Sequence, residues 1–323
     1  MTRLTNSLNE EEIIKLIWKK IGTSKKIDPF ADDASWIANN SKKFVVAKSD
    51  MLVAATDAPK QMTASQMARK AVVSCVSDFA AKGVSPSFCI ISLGLPNKKA
   101  NRRYLLSMAS GFASAQKEYC LEIIGGDTNA TSADTVIDCT MLGFTDRVVK
   151  RNSASPGDLV GVSGTFGHQA AGLLLLLGKA VSKGGLFEQN AVDSVLNPRA
   201  KLDLGLKASR FLSSATDSSD GLAISLFHLA ESSKVDFVLD EIPTTLGVEN
   251  FASINKLRPH DLALFGGEEF ELVCTFDSQY ERVLSRMGIK AVGRVLSKPP
   301  TRKSSVIYKG REIQRRGWVN FTK

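Results

Sequence analysis

The stretch TASQMARKAVVSCVSDFAAKGVSPSFCIISLGLP, residues 63–96, sets the architecture. Thr63 followed three residues later by Gln66 is a capping box, and Gly83 is the residue a helix C-terminus favours. The spacing predicts a helix from Thr63 to Lys82. Phe88 to Leu95 then reads as a strand, stopped by Pro96. Upstream, residues 8–21 carry helical periodicity, with Ser7 and Glu10 as a second capping box, and Phe44 to Ala47 reads as a short strand. Downstream come a helix over Lys98–Tyr119, a strand Leu121–Ile124 running into Gly125-Gly126-Asp127, and a strand Thr135–Phe144.

The loop 151–158 (RNSASPGD) is rich in turn formers and marks a domain boundary, giving domains 1–150 and 151–323. Beyond it, strands are expected at Leu159–Ser163, Val235–Asp240, Phe270–Phe276 and Ala291–Val295. Helices are expected near Ala170–Leu177, Arg199–Leu212 and Gly221–Ser232. Mixed strands and helices make each half an α/β or α+β unit. The turn Gly161-x-x-Gly164-x-x-Gly167 is either an anion-binding loop or a plain strand-to-helix connection.

The 323 residues are 43% hydrophobic and 23% charged, which excludes collagenous and disordered classes. The longest apolar run, residues 170–178, is too short to span a bilayer, and the N-terminus lacks a signal peptide's apolar segment. Five cysteines with no C-x-x-C pair fit a reduced, cytoplasmic protein. The net charge is +9, and residues 297–323 hold eight basic residues and one acid. A basic end invites a nucleic-acid reading or a tail that attracts anionic substrates. P-loop, G-x-G-x-x-G and G-x-S-x-G motifs are absent.

Carboxylates recur beside small residues at element ends. They are Asp32-Asp33, Asp50 after Lys48-Ser49, Asp127 after two glycines, Asp217 and Asp220 before Gly221, and Glu268-Glu269 after Gly266-Gly267. Asp78 lies inside an apolar helix, where a buried carboxylate needs a cation or a ring of donors; on a solvated face it needs neither. Asp127 fits a metal site or an ordinary turn, and Asp220 fits a helix N-cap. Many carboxylates and no nearby histidine point to a hard divalent ion such as Mg²⁺, the ion that phosphoryl transfer uses.

At these residues the chain resembles the thiamine-phosphate kinase family. That family shares a superfamily with aminoimidazole ribonucleotide synthetase, selenide water dikinase and hydrogenase maturation factors. The matching segments run in family order: ADDASWI (31–37), KSDMLV (48–53), ARKAVVSCVSDFAAKGVSP (68–86), IIGGDTNA (123–130), RNSASPGDLVGVSGTFGHQAAGL (151–173), TDSSDGLAISLFHLAESS (216–233), LFGGEEFELVCTF (264–276) and VGRV (292–295). TDAP at 56–59 resembles the archaeal branch. The resemblance implies a two-domain synthetase-like fold, with an N-terminal α/β domain that pairs into a barrel-like sheet in a homodimer and a C-terminal α+β domain. It implies Mg²⁺, ATP and thiamine monophosphate as ligands, direct in-line transfer, and no nucleic-acid or membrane partner.

Carried over by position, Asp33, Ser49, Asp50, Asp78, Asp127, Asp217 and Asp220 are magnesium positions, with Asp78, Asp127 and Asp220 catalytic. Gly125, Gly126, Arg151 and Ser219 face ATP, and Asp57, Glu268, Trp318 and Phe321 face the thiamine side. The chain departs from the family pattern at Ala31, Lys48, Asp57 and Glu269. Other enzymes of the superfamily fit less well. The first cysteine is Cys75, the chain ends Asn-Phe-Thr-Lys, and the Gly-Gly-Glu segment and aromatic terminus are thiamine-kinase-like.

Overall fold

The computed structural model describes residues 10–21, 32–38 and 43–318. Ser7, Ala31 and Phe321 lie outside the described residues. A five-stranded sheet has the order β1 (Ser35–Ala38), β2 (Phe44–Val53), β5 (Val136–Thr145), β3 (Pro86–Pro96), β4 (Glu122–Thr131). Every pairing is antiparallel except β3 with β4. The second sheet has the order β12 (Arg311–Glu312), β11 (Val306–Tyr308), β8 (Asp236–Leu239), β10 (Lys290–Leu296), β6 (Leu159–Val162), β9 (Leu272–Phe276), β7 (Ser214–Asp217). The helices are α1 (Glu10–Ile21), α2 (Ala54–Asp57), α3 (Ala64–Lys82), α4 (Arg102–Tyr119), α5 (His168–Leu176), α6 (Leu186–Leu196), α7 (Leu202–Ala208), α8 (Leu222–Ser233), α9 (Leu246–Ile254), α10 (Pro259–Phe265) and α11 (Glu281–Met287).

Helix α3 is the axis of the molecule. Both halves of the Thr63–Gln66 capping box are made, and Gly83 closes the helix in the left-handed region. Its apolar residues run round the whole cylinder because both sides are covered. The first sheet and α4 pack on one side, and β7, β9 and α7 on the other. Small residues permit this. A Cβ on Gly111 of α4 would fall 2.0 Å from the Ser65 carbonyl, and one on Gly205 of α7 2.1 Å from that of Ala80. Asp78 is therefore buried, at 6% exposure, and the solvated-face reading is excluded.

Two expectations change. The glycines at 125–126 form no turn at a strand end. Strand β4 continues through them to Thr131 as the exposed edge of the sheet, pairing Gly126 with Ile91. A Cβ on Gly126 would lie 1.8 Å from the Ile91 carbonyl, so the glycine serves close strand approach. Asp220 does not cap α8. That position belongs to Gly221, at φ 108 and without a side-chain cap.

Candidate active site

Three carboxylates from three remote segments meet where α3 passes between the sheets. Asp33 precedes β1, Asp78 sits one turn before the end of α3, and Asp217 ends β7. One oxygen from each lies within 4.8 Å of the others, and all three residues are buried. Three cations pair with Asp33 and Asp78. Lys48 Nζ is 2.8 Å from Asp78 Oδ2. Lys82, with no exposed surface, reaches Asp33 Oδ2 at 2.7 Å, pairs with Asp32, and donates to the Ala215 carbonyl at 2.8 Å. The Arg151 guanidinium pairs with Asp33, and its Nε donates to Thr216 Oγ1 at 3.3 Å. Ser77 Oγ donates to Asp217 Oδ2 at 2.6 Å.

The balance of charge decides how each acid titrates. Burial would raise Asp33, but Arg151 and Lys82 outweigh it and hold the carboxyl well below the usual carboxylate range. Burial raises Asp78 well above that range, and Asp217, Asp33 and Asp50 add to the rise against Lys48. Burial and the Asp33 charge push Asp217 up to about 6. Close carboxylates in a dry site cannot all ionise without further positive charge. Asp33 Oδ2 is buried and meets Lys82 as an ion pair, without a well-directed hydrogen bond. With Asp32 and Asp50 beside the trio, five carboxylates face three cations, and an all-oxygen donor set with that charge left over fits a hard divalent cation such as Mg²⁺.

The other metal-site candidates are placed by strand alternation. Asp50 lies on the α3-facing side of β2 with Lys48, beside the trio, and its carboxyl is raised by burial. Ser49 points to the opposite side, donating to Asp138 Oδ1 at 2.9 Å. Asp127 also falls on that outer side, since it registers with Ser92 and Ser92 with Asp138. It sits three strands from β2, about 14 Å at roughly 4.8 Å per strand, with Oδ1 accepting from its neighbour Thr128 N at 2.8 Å. Within one chain, Ser49, Gly125, Gly126 and Asp127 are not brought to the trio.

Three thiamine-side candidates, Asp57, Glu268 and Trp318, are linked through shared neighbours. Loop 266–271 pairs with loop 217–220. Glu268 N donates to the Ser219 carbonyl at 2.6 Å and Phe270 N to that of Ser218 at 3.0 Å. Glu268 and Phe270 hold φ of 64° and 51°, a conformation non-glycine residues rarely adopt. Trp318 N donates to the Asp220 carbonyl at 3.0 Å, which brings the C-terminal segment over the same loop. Lys70, buried in α3, reaches Glu268 Oε1 and the Asp57 carbonyl, each at 2.5 Å. It joins two predicted residues that are far apart in sequence. Part of the basic tail is neutralised, since Arg302 pairs with Asp236 and Arg315 lies 3.4 Å from Glu231.

Reading the sequence missed Lys70 and Lys82. Their signal was a charge in a helix of Ala and Val, the same signal that flagged Asp78. Glu269 also proves structural. It accepts from Gly167 N at 2.6 Å and Gln169 N at 3.3 Å, capping α5 and occupying the Gly167 donor of the glycine turn. Burial outweighs these bonds and pushes its carboxyl up to about 8, from 4.5. The folded state therefore holds this proton more tightly than the unfolded chain. That stabilisation is full below 4.5 and lost as pH rises through 8. Glu269→Gln removes the titration, so the native fall in unfolding free energy across this window flattens in urea melts of the variant. Parallel slopes would contradict the assignment.

The profile of the family described as AIR synthase related protein, N-terminal domain, matches residues 31–145. Thiamine-monophosphate kinase of Nitrosopumilus maritimus is 37% identical over 281 residues, covering 86% of each chain. That of Aquifex aeolicus is 30% identical over 317 residues, covering 97% of this chain and 98% of its own. The solved structure titled AaThiL complexed with AMPPCP and TMP superposes with a TM-score of 0.87 at 28% identity, over 99% of both chains. The hydrogenase maturation protein HypE with ATP, at 19% identity and a TM-score of 0.68, shares the fold. With these relatives matched over most of its length, the chain belongs to the thiamine-monophosphate kinase family.

Proposed function

We propose that this chain transfers the γ-phosphoryl group of ATP to thiamine monophosphate, giving thiamine diphosphate and ADP. The observation that carries the reading is the Asp33–Asp78–Asp217 trio. It lies beside the loop that joins Asp220 to Trp318 and Glu268. The structural relative solved with AMPPCP and TMP supports that ligand pair. Mg²⁺, held by Asp33, Asp78, Asp217 and Asp50, would neutralise charge on the phosphate oxygens. In direct in-line transfer, a phosphate oxygen of thiamine monophosphate forms the new bond to the γ-phosphorus as the bond to the bridging oxygen of ADP breaks. Arg151 spends two of its five donors on Asp33 and Thr216 and keeps the others for phosphate. Asp57, whose Oδ2 also accepts from Val53 N at 2.7 Å, and Glu268, shared with Lys70, would supply negative charge toward the cationic thiazolium.

Residues 1–150 would form the metal, ATP and dimerisation domain and 151–323 the synthetase-like domain. A homodimer is supported by the outer side of the first sheet. Ile37, Met51, Ile90 and Phe144 are exposed there, around the polar Ser49 and Asp127. Asp127 and Gly126, remote from their own trio, would serve a subunit boundary. Cytoplasmic location rests on the free cysteines. Among the described residues no helix is long and apolar enough to cross a membrane.

Trp318 is half exposed beside Asp220. If its ring stacks on thiamine, Trp318→Ala raises KM for thiamine monophosphate roughly 2- to 30-fold, the worth of a cation–π contact. KM for ATP stays put, and an equal rise for both substrates would argue against the assignment. The function itself is tested by incubating protein, ATP, thiamine monophosphate and Mg²⁺ and separating products by chromatography. Thiamine diphosphate is expected, and its formation should stop with EDTA. Absence of product sinks the proposal.

A further inference from the structure

Lys48 differs from the other two cations of the trio. Lys82 is fully buried and fixed by Asp32, Asp33 and the Ala215 carbonyl. Arg151 is fixed by Asp33 and Thr216, and its backbone N–H bonds Asp32 at 2.8 Å. Lys48 comes from strand β2. Its described side-chain contact is the ion pair with Asp78 Oδ2, and a quarter of the side chain stays exposed. Asp50, two residues along the same face of β2, offers a second carboxylate within the field of the ammonium.

We infer that Lys48 is a displaceable internal cation. It neutralises Asp78 while no divalent ion is bound and swings out into solvent, where a quarter of its side chain already lies, when one arrives. The inference rests on the reading that the trio holds a divalent cation. Its physical basis is a conflict of charge. Metal–oxygen distances for such ions are about 2.0–2.6 Å. An ammonium 2.8 Å from an oxygen of Asp78 therefore lies within a few ångströms of any ion on that carboxylate. Like charges that close, away from bulk water, repel strongly. Without Lys48, however, three buried carboxylates face one another with only Lys82 and Arg151, both committed to Asp33. Lys48 thus lends stability to the empty site and lowers its affinity for the ion. A lysine on a flexible stem can do both, because moving it costs little once Asp78 has another partner.

The test uses Mn²⁺ as the probe, titrated without nucleotide and followed by the resonance signal of the free ion. Lys48→Met should bind Mn²⁺ about tenfold or more tightly than the native chain. It should melt lower in EDTA and gain more in melting temperature from Mn²⁺. Lys48→Arg, which keeps the charge, should bind no more tightly than the native chain. The native protein gives an independent reading if Lys48→Met fails to fold. Amine acylation, read by peptide mass spectrometry, should label Lys48 more with Mn²⁺ than in EDTA, with Lys82 unlabelled in both. Equal affinity in native and Lys48→Met, or Lys48 labelling that ignores the ion, overturns the inference while leaving the metal site intact. Failure of both the native chain and Lys48→Met to bind Mn²⁺ overturns the metal reading itself, and the inference with it.

Discussion

Asp78→Asn should lower the rate of thiamine diphosphate formation by a factor on the order of 10²–10³, as expected when a fixed group that stabilises transferring charge is lost. The variant should fold normally. Asp78 is buried between Asp33, Asp217 and Asp50, and its carboxyl is already pushed up by burial and by those charges. An amide of the same shape removes a repelled charge, so its melting temperature in EDTA should match or exceed the native value. Lys48, freed from Asp78, still has Asp50 nearby and partial contact with water. Steady-state kinetics beside thermal melts check both halves of the expectation. Loss of activity together with loss of the fold would make Asp78 a structural residue. Activity within a few-fold of native would remove it from the chemistry.

Lys82→Met should have the largest effect on stability, about 3–5 kcal/mol in urea-induced unfolding, the usual consequence of stripping one partner from a buried ion pair. The Lys82 ammonium is sealed from water and ties the segment at 32–33 to α3 and, through the Ala215 carbonyl, to β7. Its loss leaves Asp32 without that partner and Asp33 with Arg151 and the Thr216 hydroxyl, both on Oδ1. The methionine fits the volume but satisfies neither carboxylate nor carbonyl. A destabilisation below 1 kcal/mol would mean that the pair behaves like an exposed one and that the 32–33 segment is held otherwise.

Local chemistry made α3 legible. Thr63, Gln66 and Gly83 specify both ends of the helix without help from the rest of the chain. The aspartates were legible because a carboxylate among Ala and Val is costly unless something compensates it. What compensates it was not legible. Asp78 meets Lys48, 30 positions away on β2, and Lys82 meets Asp32, 50 positions away, so no local pattern joins either pair. Gly125-Gly126 misled for a related reason. Glycine pairs signal turns, yet here one glycine makes room for the Ile91 carbonyl inside an edge strand. Asp220 had the identity of an N-cap, but the backbone at Gly221 assigned that place to the glycine. The resemblance to thiamine-phosphate kinases named residues on both sides of the first sheet. The register then showed that Ser49 and Asp127 face away from Asp78.

In the proposed reaction ATP passes its γ-phosphoryl group directly to thiamine monophosphate at the aspartate trio. ATP labelled at the γ-phosphate, mixed with excess enzyme, thiamine monophosphate and Mg²⁺, tests it in a single turnover. The label should pass from ATP to thiamine diphosphate with no labelled protein at any time, and Asp78→Asn should slow that passage. Label that accumulates on the protein, or that leaves ATP only as inorganic phosphate, would contradict it.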